Sequence, residues 1–424
     1  MRAAKLIFLI FFGLGPELSA ATLQTEGSQG LDINIGKRYV IASSAMKQDR
    51  EIMISLPEGY AQTNQSYPVL YILHGKQYFP YGVAFTRRLA DKEAILGVIT
   101  VGISRDNSDN PYMVHGTPEA DQLLDFIEKE LFAFVEGNFR ASGHRSIAGW
   151  HHGGSLALHA LVNRPYMFDG YILASPFPVR TEEINFEKVN ALLAGQPDAR
   201  KTIYFGVNET EGFLAEEIPK LRALLQEGAH ERLIWVQDAY GGNGEQTDSM
   251  FRLMHPGLRT VYSDFKLPSF ASLAEYNQQG GKSFLTAFFT KRANKYGVPE
   301  KVTSGAVFRL LRLAMFADDI SVFEDALSLA DMFADTANVN WYIRYAQFYV
   351  KYKKYPEAIE LLGKTESAYP SSIAVQSVLA EAYEASNQHE KAVAALHRAI
   401  ELAEIQSSDQ LEPLKKQLAA HITE

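Results

Sequence analysis

Gly149-Trp150-His151-His152-Gly153-Gly154 constrains this chain more than any other stretch. Arg145-Ser146-Ile147-Ala148 leads into it as a short strand. Ser155 to Val162 leaves it with apolar residues three to four positions apart, the spacing of a helix. Gly149 and Gly153 then fall where a tight turn brings the strand and helix backbones together, and side chains there would obstruct the approach. The turn leaves one residue, His151, at its apex.

The surrounding pattern supplies a sheet for such a turn to leave. Glu51 to Leu56 reads as an early strand, and Tyr67 to Leu73 is the nearly continuous apolar run of a strand buried on both faces. Ala94 to Val101 repeats that signature, and Tyr171 to Ala174, Thr202 to Val207 and Leu233 to Val236 supply further strands. Between them, 121–135 reads as an amphipathic helix with Leu124, Ile127, Leu131, Phe134 and Val135 on one face, and a helix begins near Pro219. Alternating elements of this kind wind into a mostly parallel sheet covered by helices, with ligands at the carboxyl ends of its strands.

The last third is a different object. The stretches 342–370 and 376–404 superimpose at a shift of 34 residues, setting Ala346 on Ala380, Tyr349 on Tyr383, Ala358 on Ala392 and Leu362 on Leu396. That is the tetratricopeptide period, in which small residues let paired helices pack closely. Ala314 and Ala326 mark a degenerate earlier copy, two residues out of step. The expected organisation is a signal peptide at 1–21, an α/β domain at 22–267, a linker with a helix over 284–295 at 268–297, and helical repeats at 298–424.

A chain of 424 residues can hold two such domains, and 46% hydrophobic with 21% charged residues is ordinary for soluble protein. Its net charge of -9 opposes a nucleic-acid or anionic-membrane surface. Arg2 and Lys5 precede the apolar run 6–12, and small residues follow at 19–21, the pattern of a cleaved secretory signal. No later segment reads as transmembrane, and there is no cysteine to form a disulfide. A periplasmic or secreted location is expected.

The α/β part resembles the esterase family that includes siderophore esterases and esterase D, all α/β-hydrolases. The likeness covers roughly 38–265. Besides the turn, it is carried by Leu56-Pro57-Glu58-Gly59-Tyr60, Tyr67 to Gly75, Phe126-Ile127-Glu128, Arg164-Pro165 and Phe168 to Pro176. The resemblance implies a serine at the apex that attacks an ester carbonyl, a histidine that takes its proton, an acid that orients the histidine, and two backbone N–H groups that bind the oxyanion.

Here the apex is His151. The N–H of His152 and that of Lys76 or Gln77 would form the oxyanion hole, and Glu209 or Glu211, following the strand that ends near Val207, would be the acid. Counting back from Gly257-Leu258-Arg259 puts the family's histidine near Gln246, an amide that cannot shuttle a proton; His255 is the nearby imidazole. Ser155 and Ser175 sit away from the apex position.

Neutral imidazoles also suit zinc or copper, and His74, His115, His151 and His152 could share one end of the sheet; no spaced metal motif accompanies them, and no metal or cofactor is expected. Two functions remain open at this point. One is an impaired homologue that binds an ester-like small ligand, or a protein or peptide through its repeats. The other is an ester hydrolase, possible for siderophore-type substrates, with a rewired site.

Overall fold

The computed structural model describes residues 34–423 apart from 105–115, 195–199, 209–210, 215, 229–231, 241–248 and 330–337, so the expected signal segment lies outside the described residues. Eight strands form one sheet in the order β1-β2-β4-β3-β5-β6-β7-β8. They are β1 (Lys37–Ser43), β2 (Gln48–Ser55), β3 (Tyr67–Leu73), β4 (Ile99–Ile103), β5 (Ala141–Trp150), β6 (Gly170–Ala174), β7 (Lys201–Asn208) and β8 (Leu233–Tyr240). β1 and β2 pair antiparallel, and β2 joins β4 antiparallel. From β4 through β3 to β8 every pairing is parallel.

Both faces are covered, which is why the central strands are apolar at successive positions. The alternate residues Val69, Tyr71 and Leu73 of β3 enter one core together with Ile147, Leu173 and Phe205. On that side pack α2 (Pro118–Phe126), a π-helical turn at Ile127–Leu131, α3 (Phe132–Asn138), α4 (His152–Asn163), α5 (Phe186–Leu193) and α6 (Glu217–Gly228). Leu70 and Ile72 face the other way, into a core shared with Ile172 and Tyr204. There α1 (Gly75–Asp91) contributes Tyr78 and Leu89, and α7 (Ser249–Val261) contributes Met250, Leu253, Met254 and Leu258.

Two expectations shift in register. The strand anticipated over 94–101 begins only at Ile99; Ile95, Leu96 and Val98 owe their apolar character to burial in the α1-side core, outside the ladder. The helix anticipated over 121–135 is longer, and Leu124, Ile127, Leu131 and Val135 are fully buried on its inner face.

Beyond residue 270 every described element is helical. The pairs α12 (Val339–Lys351) with α13 (Tyr355–Ala368), and α14 (Ile373–Ala385) with α15 (His389–Ile405), begin 34 residues apart, helix for helix. An earlier pair, α10 (Ser304–Ala317) and α11 (Ile320–Ser328), precedes them, and α16 (Leu411–Thr423) follows. Ala314, Ala346, Ala358, Ala380 and Ala392 are all essentially inaccessible, so the small residues of the repeat sit where helices touch.

The stretch 268–297 is built more tightly than its polar Gln278-Gln279-Gly280-Gly281 suggests. It holds α8 (Leu273–Gln278) and α9 (Gly281–Tyr296), which send Leu273, Tyr276, Leu285 and Phe289 into the core of the repeats. The far end of α9 enters the other domain: Tyr296 is fully buried in the α1-side core, its ring 4.7 Å from that of His144 on β5. Arg292 lies over Phe289 and Phe265 and donates to the carbonyl of Lys301 at 2.6 Å.

Two predictions follow from this packing. A Cβ at Gly149 would lie 2.3 Å from the Gly153 carbonyl carbon, whereas one at Gly363 inside α13 meets nothing within 4 Å. Gly149→Ala is therefore expected to lower unfolding stability by about 2–3 kcal/mol. Gly363→Ala should raise it by roughly 0.5–1 kcal/mol, both read by urea denaturation. The second concerns His144, whose burial lowers its pKa from 6.5 to about 4. The unfolded chain takes up a proton at this residue below pH 6.5 while the folded one resists until about 4, so stability is full above that window and falls as pH drops through it. Unfolding midpoints at pH 7 and pH 5 should differ less in His144→Phe than in the parent; an equal difference would refute the assignment.

Candidate active site

Three strands and two helix starts converge where the Gly149–Gly154 turn leaves the sheet. His151, between β5 and α4, has φ 52 and ψ -116, a conformation that costs a side-chain-bearing residue about 1–3 kcal/mol. Main-chain bonds hold it there. Its N–H donates to the carbonyl of Ala174 at the end of β6 (2.9 Å), and its carbonyl accepts from Ser155 N–H (2.9 Å) and Phe177 N–H (3.2 Å). Gly154 lets α4 lie against Pro176, where a Cβ would meet the proline Cα at 3.0 Å.

His74 performs the matching turn at the end of β3, with φ 55 and ψ 49, and starts α1. Its imidazole lies over Gly153, whose hypothetical Cβ would be 3.3 Å from the ring. The glycine at the base of α4 thus makes room for the neighbouring loop's histidine as well as for its own turn.

The apex imidazole is enclosed by rings: His152 at 4.4 Å, Trp150 at 5.3 Å and Phe177 at 5.3 Å between centroids. Burial, with a smaller contribution from the His152 imidazole, lowers its pKa to about 4. His151 is therefore uncharged near neutral pH. Chemically it can accept a hydrogen bond, accept a proton weakly, or act as a neutral nitrogen nucleophile.

Both helices at this rim begin with N–H groups that have no partner inside their own helix. Of the two candidates on the α1 side, Gln77 donates its N–H to the carbonyl of His74 at 3.0 Å, which leaves Lys76 as the better placed. The Lys76 ammonium is turned outward, 3.8 Å from Glu51. His152 starts α4 one residue past the apex.

The acid candidates separate. Glu209 lies outside the described residues, as do Gln246 and His115. Glu211 is buried, 2% exposed, just past β7, and accepts from the hydroxyl of Ser249 at 3.2 Å. Burial raises its pKa, opposed by the Ser175 and Ser249 hydroxyls. The Ser175 hydroxyl is fully buried beside the same carboxylate without a well-formed hydrogen bond, and Ser175 itself takes φ 43. A groove of about 370 Å³, lined by Glu211, Asn208, Leu214, Ile218, Arg222 and Gln237, opens next to this group.

Ser249 is the residue sequence reasoning missed, since a serine at the head of a helix ordinarily reads as a cap. His255 sits on α7, about 9 Å further along the axis than Ser249. Its ring packs against Phe85 of α1 at 5.8 Å, inside the seam between the two helices. The Ser155 hydroxyl is likewise committed, donating to the carbonyl of Pro178 at 2.6 Å. Among the described residues no group of three His, Asp or Glu side chains is arranged to hold a metal ion.

Comparison with known proteins places this geometry. Residues 43–250 match the family described as "Putative esterase", and residues 349–404 match a tetratricopeptide repeat. A siderophore triacetylfusarinine C esterase of Aspergillus fumigatus is 44% identical over 59 residues, 13% of this chain and 20% of that protein. The match thus spans about one fifth of the curated relative's length. An IroE-like serine hydrolase from Shewanella oneidensis superimposes with a TM-score of 0.53 at 22% identity, covering 70% of this chain and all of that one. An uncharacterised protein from Capnocytophaga ochracea superimposes with a TM-score of 0.56 at 15% identity, covering 92% of this chain and all of that one, so the two-part fold recurs elsewhere. The sheet order and the sequence match over 43–250 agree: that part of the chain matches the esterase family and has its α/β-hydrolase fold, and a tetratricopeptide match follows at 349–404.

Proposed function

We propose that this chain is an esterase homologue whose attacking serine has been replaced by His151, leaving it catalytically impaired and acting by binding a small ester-like ligand or a protein partner. One observation carries the reading: an uncharged, ring-enclosed imidazole occupies the strained apex from which the family's hydroxyl attacks. Ser155 and Ser175 do not compensate, because Ser155 is bonded to Pro178 and Ser175 is buried beside Glu211. His255, the imidazole nearest in sequence to the expected base position, packs against Phe85. In triads of this type, loss of the nucleophile alone removes several orders of magnitude in rate.

The competing reading, a rewired ester hydrolase, draws on the same neutral nitrogen. A pKa near 4 leaves His151 unprotonated at neutral pH, and the main-chain N–H groups of Lys76 and His152, at the starts of α1 and α4, support this reading. Attack by imidazole would transfer the acyl group to nitrogen and release the alcohol, and water would then have to cleave the acyl-imidazole. Short-chain nitrophenyl esters separate the two readings. We expect hydrolysis by the purified protein at pH 6–9 to stay at background and to be unchanged in His151→Ala; turnover in the parent that disappears in the variant would establish the second.

The reading includes export, on the basis of Arg2, Lys5, the apolar run 6–12 and the small residues 19–21. No helix among the described residues is long and apolar enough to cross a membrane. Mass spectrometry of protein recovered from the periplasm or medium is expected to find a mature chain starting near residue 21 or 22. Recovery of the intact chain from the cytoplasm alone would count against export.

A further inference from the structure

The repeats carry a surface that the ester chemistry does not use. On α10, Phe308, Arg312 and Phe316 follow one another at four-residue intervals and so share a face. On α12, Trp341 and Arg344 are one turn apart, and the Trp341 ring meets that of Phe308 edge-on at 4.8 Å. The guanidinium of Arg344 lies 4.8 Å over Trp341, and that of Arg312 lies 5.8–5.9 Å from the rings of Phe308, Phe316 and Trp341. Phe316 is 80% exposed and continues the apolar surface of Phe308 and Trp341 outward past Arg312.

Among the described residues neither Arg312 nor Arg344 is paired with a carboxylate. The acids at the end of α10 are committed elsewhere, Asp318 to Lys351 and Asp319 to capping α11. Arginines stacked on rings are held with their planar donors presented outward, the geometry that takes a carboxylate through two bonds. In a chain of net charge -9, two arginines with no carboxylate partner among the described residues, beside the exposed Phe316 and the half-buried Phe308 and Trp341, are a local reversal of sign.

We propose that the face shared by α10 and α12 docks an acidic peptide segment of a partner protein, its carboxylates on Arg312 and Arg344 and an apolar side chain against Phe316 and Trp341. A peptide fits better than a nucleic acid because the patch offers only two cations, while the overall negative charge repels a long polyanion. The proposal deepens the protein-binding part of the reading above and does not depend on whether esters are cleaved.

Fluorescence anisotropy on the full chain tests it. The probes are a short fluorescein-labelled peptide of glutamates interrupted by phenylalanine, its glutamine counterpart, and a labelled oligothymidine. The parent should prefer the glutamate peptide, with affinity falling as salt rises. Joint Arg312→Glu and Arg344→Glu substitution should weaken it at least about tenfold, and Trp341→Ala should also weaken it. Both arginines are exposed, so the charge-reversed protein is expected to keep the parent's melting temperature and ester-assay result, which separates failure of docking from failure of the reading of the hydrolase domain. Equal binding of the glutamate and glutamine peptides, unchanged affinity on charge reversal, or tighter binding of oligothymidine would each overturn the proposal.

Discussion

The close approach of two backbones, Gly149 on β5 and Gly153 on α4, is the contact on which the rest of the site depends. A side-chain carbon at Gly149 would lie 2.3–2.4 Å from the Gly153 carbonyl group, so only hydrogen is tolerated there. With the approach made, His151 is driven into a strained conformation and its main chain is tied to the ends of the next strand, through Ala174 and Phe177. The same glycine at 153 gives the His74 imidazole its place. The turn is thus a property of three neighbouring chain segments, and it accepts an imidazole at its apex because none of its supports depends on the apex side chain.

A second constraint joins the two parts of the molecule. α9 begins among the residues of the repeat core and ends with Tyr296 buried beside His144 and Tyr262. The phenol of Tyr296 is satisfied by Asp264, and Asp264 is in turn paired with Lys295 at 2.7 Å. A helix anchored in both cores transmits orientation, whereas a polar linker would not. The repeats are therefore braced to the sheet, and the docking face on α10 and α12 stands in a defined place relative to α9.

Much of this organisation could be read in advance. β3 is legible because a strand covered on both faces must be apolar at successive positions, and Tyr67 to Leu73 is fully buried throughout. The paired helices from Val339 to Ile405 are legible because a stacked unit repeats its small residues at a fixed interval. The sequence extends β4 too far back, to Ala94, because burial in the α1-side core and burial in a ladder leave the same apolar signature on Ile95, Leu96 and Val98. The segment 268–297 looked open because its glycines and glutamines sit at the junction of α8 and α9, while its anchoring rings are spread along the helices.

By itself the sequence determined the turn and its apex residue, the alternation that builds a parallel sheet, and the period of the repeats, since each is written either in local spacing or in a fixed interval along the chain. Only the tertiary structure decided which carboxylate is buried, that Ser249 meets Glu211, that His255 packs against Phe85, and that α9 enters two cores. Those outcomes depend on pairs tens to more than a hundred residues apart. Local periodicity records which face of an element is buried, but the neighbour against which it is buried is set by the order of strands in the sheet.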